Sequence, residues 1–172
     1  MKTDNRIIIE VSQIARAPMD AEGEVDGEAV FDLGNDPVAR ADGPIRYALR
    51  AELVGGGEIV VSGAVSAPFR LLCGRCAGFF STNLKNESFL RTYAWDEHPE
   101  VLDVTEDVRE DLLLEIPGYP LCDPACKGLC PRCGKNLNDG ACGCPPPSDG
   151  GEGQWAALDG WKEEPPAGVR NQ

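Results

Sequence analysis

The chain has 172 residues with 29 acidic and 16 basic side chains, and its formal charge of -13 excludes a sequence-blind nucleic-acid sleeve held by general positive charge. The length suits one domain of ordinary size plus a tail, which excludes a large multidomain enzyme. Eight cysteines beside one histidine and 6% aromatic residues are the other departure from average usage.

The start, Met1-Lys2-Thr3-Asp4-Asn5-Arg6, lacks the apolar stretch of a secretory signal. No segment offers the roughly 18 to 20 apolar residues that span a bilayer. The expected compartment is a reducing cytoplasm, where clustered cysteines are metal ligands or redox thiols before they are disulfides. The first apolar run, Ile7 to Val11, is β-branched and short, so a strand is expected. From Ala17 to Pro44 periodicity fails, and glycines, acids and prolines indicate an irregular excursion or one strand with loops.

Ile45, Tyr47, Leu49, Ala51 and Leu53 alternate with mostly polar neighbours, the pattern of a half-buried strand. After the Gly55-Gly56-Gly57 turn, Ile59, Val61, Gly63, Val65, Ala67, Phe69 and Leu71 hold the odd positions of a second strand, so the pair reads as an antiparallel hairpin. A third β-like run from Phe79 to Tyr93 follows Cys73-Gly74-Arg75-Cys76, which places the first cysteine pair at a sheet tip. A helix is expected from about Val104 to Glu115, with Asp103 as its cap, Glu106 completing a capping box and Pro117 ending it. Val104, Val108 and Leu112 make its apolar stripe, and the remaining acidic side chains read as a solvated face.

Residues 118–144 are turn-rich, hold six cysteines and cannot build a hydrophobic core alone. Pro145 to Gly151 reads as a linker, Trp155 to Trp161 as two helical turns, and the last residues as disordered. The expectation is therefore an α+β protein: an antiparallel β-sheet body with one main helix over residues 1–117, a zinc-knuckle segment at 118–144, and a linker, short helix and tail at 145–172.

The cysteines fall into four pairs, Cys73/Cys76, Cys122/Cys126, Cys130/Cys133 and Cys142/Cys144. Tetrahedral zinc takes four soft donors, and a C-x2-C turn presents two sulfurs on one side while its amides point back at them. The expected partition puts Cys130, Cys133, Cys142 and Cys144 in one site and Cys73, Cys76, Cys122 and Cys126 in the other. One zinc with four free thiols, free thiols throughout, or disulfides are the alternatives. Strand flanks around Cys73 and Cys76 argue against a thioredoxin-like pair, which opens a helix. Four sulfurs per ion leave no position for water, which weighs against metallohydrolase chemistry.

No phosphate-cradling glycine loop and no H-E-x-x-H motif is present. The lone histidine, His98, stands in the acidic stretch Asp96 to Glu100 beside Pro99 and reads as a surface residue. No catalytic residue is assigned. The cations nearest the cysteines, Arg75, Lys127, Arg132 and Lys135, are the candidates for RNA contact, with Phe79, Phe80 and Tyr119 as marginal aromatics.

The segments Val61 to Val65, Leu71 to Cys76, Leu112 to Pro117, Leu121-Cys122, Cys126-Lys127-Gly128-Leu129-Cys130-Pro131-Arg132-Cys133-Gly134-Lys135-Asn136-Leu137-Asn138 and Cys142-Gly143-Cys144, in this order, resemble the bacterial and plastid YceD family of large-subunit ribosomal RNA accumulation proteins. Where the family has an Asp-Pro-Arg lead into its last helix, this chain has Asp149-Gly150 and Glu152-Gly153-Gln154-Trp155. The resemblance implies a small, non-enzymatic cytoplasmic factor that supports accumulation or processing of large-subunit (23S) rRNA. Its partners would be a ribosomal protein or a large-subunit assembly intermediate, with direct rRNA contact possible, no membrane and no small-molecule substrate. The rival reading is a thiol-based redox or zinc-release switch.

Overall fold

In the computed structural model, which describes residues 5–55, 57–95 and 100–145, strand β1 (Ile8–Glu10) leads into a one-turn helix α1 (Val11–Ile14). Strand β2 (Met19–Val25), helix α2 (Gly27–Phe31) and strand β3 (Ala39–Ala41) follow. Next come β4 (Ile45–Val54), β5 (Glu58–Leu72), β6 (Phe79–Ala94), β7 (Val101–Asp103) and helix α3 (Thr105–Leu114). The fold is mixed α+β with antiparallel sheets, as expected. The expected short helix at Trp155 to Trp161, and Asp96 to His98, lie outside the described residues.

Alternation builds the main sheet. On β5, Ile59, Val61, Val65, Ala67, Phe69 and Leu71 are buried at the odd positions, so one face of the longest central strand carries the core. β5 pairs with β6 along its whole length. On its other side β4 covers Glu58 to Ser66 and β3 covers Phe69 to Leu71, with β2 outside β4. At Gly63 (φ +152°) a Cβ would lie 2.2 Å from the Ala48 carbonyl oxygen, so only glycine lets β4 and β5 close at this point. A bulge on β6 falls opposite, between Gly63 and Val65.

Residues 17–44 are more ordered than their composition indicates. β2 pairs with β4 from Met19 to Val25. The Asp26 carboxylate then accepts the Glu28 and Ala29 amides at 3.0 and 3.4 Å and starts α2. Phe31 at its end is fully buried, edge-on to Phe69 at 4.7 Å between ring centres.

Helix α3 and the residue that caps it close the core with Val104, Val108 and Leu112, all fully buried, each contributing roughly 1.5 to 3 kcal/mol relative to exposure. Its start differs from the expected capping box. Asp103 is paired with Ile8 in the β1–β7 ladder, which keeps it one residue short of the cap position that Val104 occupies. The Asp103 carboxylate accepts the Thr105 amide and hydroxyl instead, and Glu106 pairs with Arg109 at 2.8 Å. The acidic side of α3 is not wholly solvated either. Asp111 is 8% exposed and accepts from Arg91 (3.0 Å) and Asn86 (2.5 Å), while Asp107 accepts the Tyr93 hydroxyl at 2.5 Å. Burial, with Asp107 beside it, holds the Tyr93 phenol well above its ordinary pKa. Among the described residues, no helix is long and apolar enough to cross a membrane.

Candidate metal centres

Cys73 to Cys76 form the tight turn between β5 and β6, so the first pair stands at the sheet tip, where the strand alternation placed it. The Cys73 amide donates to the Gly78 carbonyl (2.9 Å) and the Ala77 amide to the Cys73 carbonyl (2.9 Å), which folds the knuckle. After α3 the chain returns to this tip. The Gly74 amide donates to the Pro120 carbonyl (2.8 Å), and the Tyr119 ring lies so close over Gly74 that a Cβ there would be 2.5 Å from it. The Tyr119 hydroxyl donates to the Gly74 carbonyl at 3.1 Å.

Residues 118–144 carry little secondary structure, only a bridge between Leu129 and Asn136 and a 3-10 turn over Leu137–Asp139. Backbone and side-chain bonds around the sulfurs replace it. The Arg75 guanidinium donates to the Pro124 and Cys126 carbonyls (3.1 and 3.0 Å), and its own carbonyl accepts the Leu129 amide (3.0 Å). Gly128 (φ +74°) passes the Arg75 carbonyl at a distance that would leave a Cβ only 3.0 Å from it. In the second knuckle the Cys130 amide donates to the Lys135 carbonyl (2.8 Å) and the Gly134 amide to the Cys130 carbonyl (2.9 Å).

The eight sulfurs gather in two groups, Cys73, Cys76, Cys122 and Cys126, and Cys130, Cys133, Cys142 and Cys144, with the ligand atoms of each group within 4.8 Å of one another. This membership is the same as the expected partition. In the first group Cys73 and Cys126 sulfurs are 3.9 Å apart and those of Cys76 and Cys122 are 3.7 Å apart. For a metal–sulfur bond of about 2.3 Å, the edge of a tetrahedron is about 3.8 Å. The spacing thus fits a tetrahedral ion with soft donors, and neither group includes a histidine or carboxylate. Cys73, Cys76, Cys126 and Cys130 are buried, whereas Cys122 and Cys133 are exposed.

Charge separates the thiols within each group. Amides of Cys122 and Cys76 pointing at the Cys73 sulfur lower its pKa to about 6, while hydrogen bonding to Cys126 and burial push Cys122 up to about 12. The second group repeats the pattern. Amides of Cys133 and Arg132 bring Cys130 down to about 6, and hydrogen bonding to Cys133 with burial raises Cys144 to about 12. Each cluster favours ionising some of its thiols and opposes a full set; a dication at its centre is the counter-charge that would let four thiolates coexist.

One organising residue went unassigned in the sequence. Asn138 donates from Nδ2 to the Cys126 sulfur (3.3 Å) and accepts the Lys127 amide at Oδ1 (2.8 Å), and its hydrogen bond lowers the Cys126 pKa. The Asn136 side chain accepts from both the amide and Nδ2 of Asn138. The signal was the ending Asn136-Leu137-Asn138 of the cysteine string, where two asparagines flank one leucine beside the knuckle. Of the four candidate RNA-contacting cations, Arg75 is bonded as above and Lys135 donates to the Ala141 carbonyl (2.9 Å). Lys127 and Arg132 are exposed.

The chain is similar to known proteins. A family model described as large ribosomal RNA subunit accumulation protein YceD matches residues 61–162. Over 48 residues the chain is 46% identical to the chloroplastic large ribosomal RNA subunit accumulation protein YCED homolog 1 of Arabidopsis thaliana, covering 27% of this chain and 15% of that protein. An uncharacterised protein of Mycobacterium tuberculosis is 35% identical over 103 residues, 52% of this chain and 49% of its own length. The chain thus spans half or less of these relatives. No solved structure matches it. The matched region takes in the sheet tip, α3 and all eight clustered cysteines, and the chain belongs to the YceD family.

Proposed function

We propose that this chain is a non-enzymatic, cytoplasmic factor of large-subunit ribosome biogenesis that supports accumulation or processing of 23S rRNA, and that each four-cysteine group holds one structural zinc ion. The carrying observation is the family match, which runs across both sulfur groups. Zinc would supply charge neutralisation and a fixed tetrahedral node; with four sulfurs around it, no position is left for water or substrate. The residues then do the work of shape. Cys122 and Cys126 hold the 118–129 segment on the β5–β6 tip, Arg75 and Tyr119 tie down its backbone, and Asn138 links the first group to the segment that carries the second.

With both centres filled, eight thiolates and two dications take the formal charge from -13 to about -17. So acidic a body favours a basic ribosomal protein or an assembly intermediate rich in such proteins as its partner. Two measurements test the proposal: metal content of the purified chain, and rRNA levels in depleted cells. Two zinc ions per chain and a fall of 23S relative to 16S rRNA are expected; unchanged rRNA and assembly intermediates on depletion would overturn it. The exposure of Cys122 and Cys133, one in each group, favours a second reading as a zinc-release redox switch. That reading requires stoichiometric zinc loss at mild peroxide with a change in function, and inert zinc rejects it.

A further inference from the structure

The outer face of the main sheet is salted with ion pairs, except at the end beside the first cysteine turn. Farther along it, Arg46 pairs with Glu24 (3.4 Å), Arg50 with Asp20 (2.9 Å) and Lys85 with Glu87 (2.9 Å). At the cysteine end, Arg40 on β3 stands directly opposite Arg70 on β5, a like-charge cross-strand pair that by itself destabilises a sheet. Among the described residues no carboxylate is within ion-pair distance of either. Of the acids nearby, Asp36 accepts the Val38 and Ala39 amides at 2.7 and 2.8 Å and attracts Arg40 beyond ion-pair distance, and Asp42 accepts the Ser81 hydroxyl. In a protein with nearly twice as many acids as bases, two adjacent arginines outside any close ion pair make a local positive patch.

The neighbouring row supplies an aromatic surface. Leu72 pairs with Phe79 across β5 and β6 and its amide donates to the Val38 carbonyl at 2.8 Å, so Val38, Leu72 and Phe79 lie side by side. Phe79 is 45% exposed and Val38 43%, so the two present a shared apolar surface on that face. Both guanidiniums lie over the Phe79 ring, Arg40 at 5.9 Å and Arg70 at 5.8 Å from its centre. An exposed ring in a sheet with two arginines beside it that make no close ion pair matches single-stranded RNA chemically: a base stacks on the ring as the guanidiniums over it turn to the flanking phosphates.

We infer that Phe79, Arg40 and Arg70 form a platform for single-stranded RNA on the outer face of the sheet; this rests on the rRNA reading above and gives it a contact surface separate from the knuckle cations. The platform is held in shape by the first cysteine centre, because Leu72 and Phe79 directly flank the Cys73 to Cys76 turn.

The test uses the full, zinc-loaded chain and a fluorescein-labelled single-stranded RNA of about 10 nucleotides, read by anisotropy over a salt series. Phe79→Ala is expected to weaken binding about 10-fold and Phe79→Tyr to retain it, because stacking needs only the ring. The double substitution Arg40→Gln with Arg70→Gln should lower the salt slope by about 0.7 for each phosphate it no longer neutralises. Arg46→Gln, on the same face but paired with Glu24, should leave both quantities unchanged. Unchanged zinc content and melting temperature certify the fold of each variant. No binding by the parent chain, parent-like affinity in Phe79→Ala and the double variant, or displacement of the RNA by poly-glutamate at matched charge would overturn the platform. Those results leave the 23S phenotype on depletion intact, whereas unchanged rRNA on depletion removes the function and not the surface.

Discussion

Replacing Asn138 by alanine separates the two metal centres. The side chain makes one hydrogen bond to the Cys126 sulfur and one from the Lys127 amide, at 3.3 and 2.8 Å, and touches no sulfur of the second group among its bonds. A hydrogen bond to a charged acceptor is worth about 1.5 to 3 kcal/mol, and removing a partner behind a metal ligand typically costs about 10- to 100-fold in affinity. Asn138 is exposed and its Nδ2 is shared with Asn136, so water replaces part of what is removed and the low end applies. The first centre should therefore bind zinc about 10-fold more weakly, with the second unchanged. Asn138→Asp is the sharper variant. Its carboxylate still accepts the Lys127 amide but sets a negative charge against the Cys126 thiolate, and its effect should exceed that of alanine. Chelator titration of the two-zinc protein, with alkylation and mass spectrometry to mark which cysteines open first, reads the result. Release of both ions with parent affinity in Asn138→Ala, or parent-like binding in Asn138→Asp, would refute the role given to this side chain.

Phe31→Ala removes a fully buried ring from α2 and should cost about 3 to 5 kcal/mol in urea denaturation. Gly63→Ala drives a Cβ against the Ala48 carbonyl in an unfavourable backbone conformation and should cost about 2 to 4 kcal/mol by the same assay. Amides of Val38 and Ala39 hold the Asp36 carboxyl below its ordinary value of 3.8, so its contribution to stability is present above that value and is lost as pH falls through the lower folded one. Asp36→Ala should melt lower than the parent at neutral pH, with the difference vanishing as the pH drops well below 3.8 in melting curves.

The three long strands could be read from the chain because β5 keeps its buried residues on odd positions for most of its fifteen residues, a pattern no helix sustains. The grouping of the cysteines was legible for a different reason: close pairs restrict which sulfurs can meet. Features set by distant partners were not. α2 is five residues long, begins with glycine and exists because Asp26 caps it and Phe31 finds Phe69. The three-residue β1–β7 ladder joins chain segments more than ninety residues apart and displaces the cap expected at Asp103. Asp111 looked like surface charge until Arg91 and Asn86 on β6 were brought against it. Asn138 belonged to a recognisable string, but the atom it serves sits twelve residues earlier.

The first sulfur group also imposes an order on synthesis. Cys76 and Cys122 are 46 positions apart, and β6, β7 and α3 all lie between them. On a growing chain the knuckle at the tip emerges with only half its donors, and it stays half-built until the return segment follows. Closing a loop of this length removes roughly 4 kcal/mol worth of freedom from the unfolded chain, by the same entropy that a long-range cross-link exploits. Metal capture at this position would thus record that the strand, ladder and helix between the two pairs have been made, and a truncated chain would be left with an open, weakly binding pair of thiols.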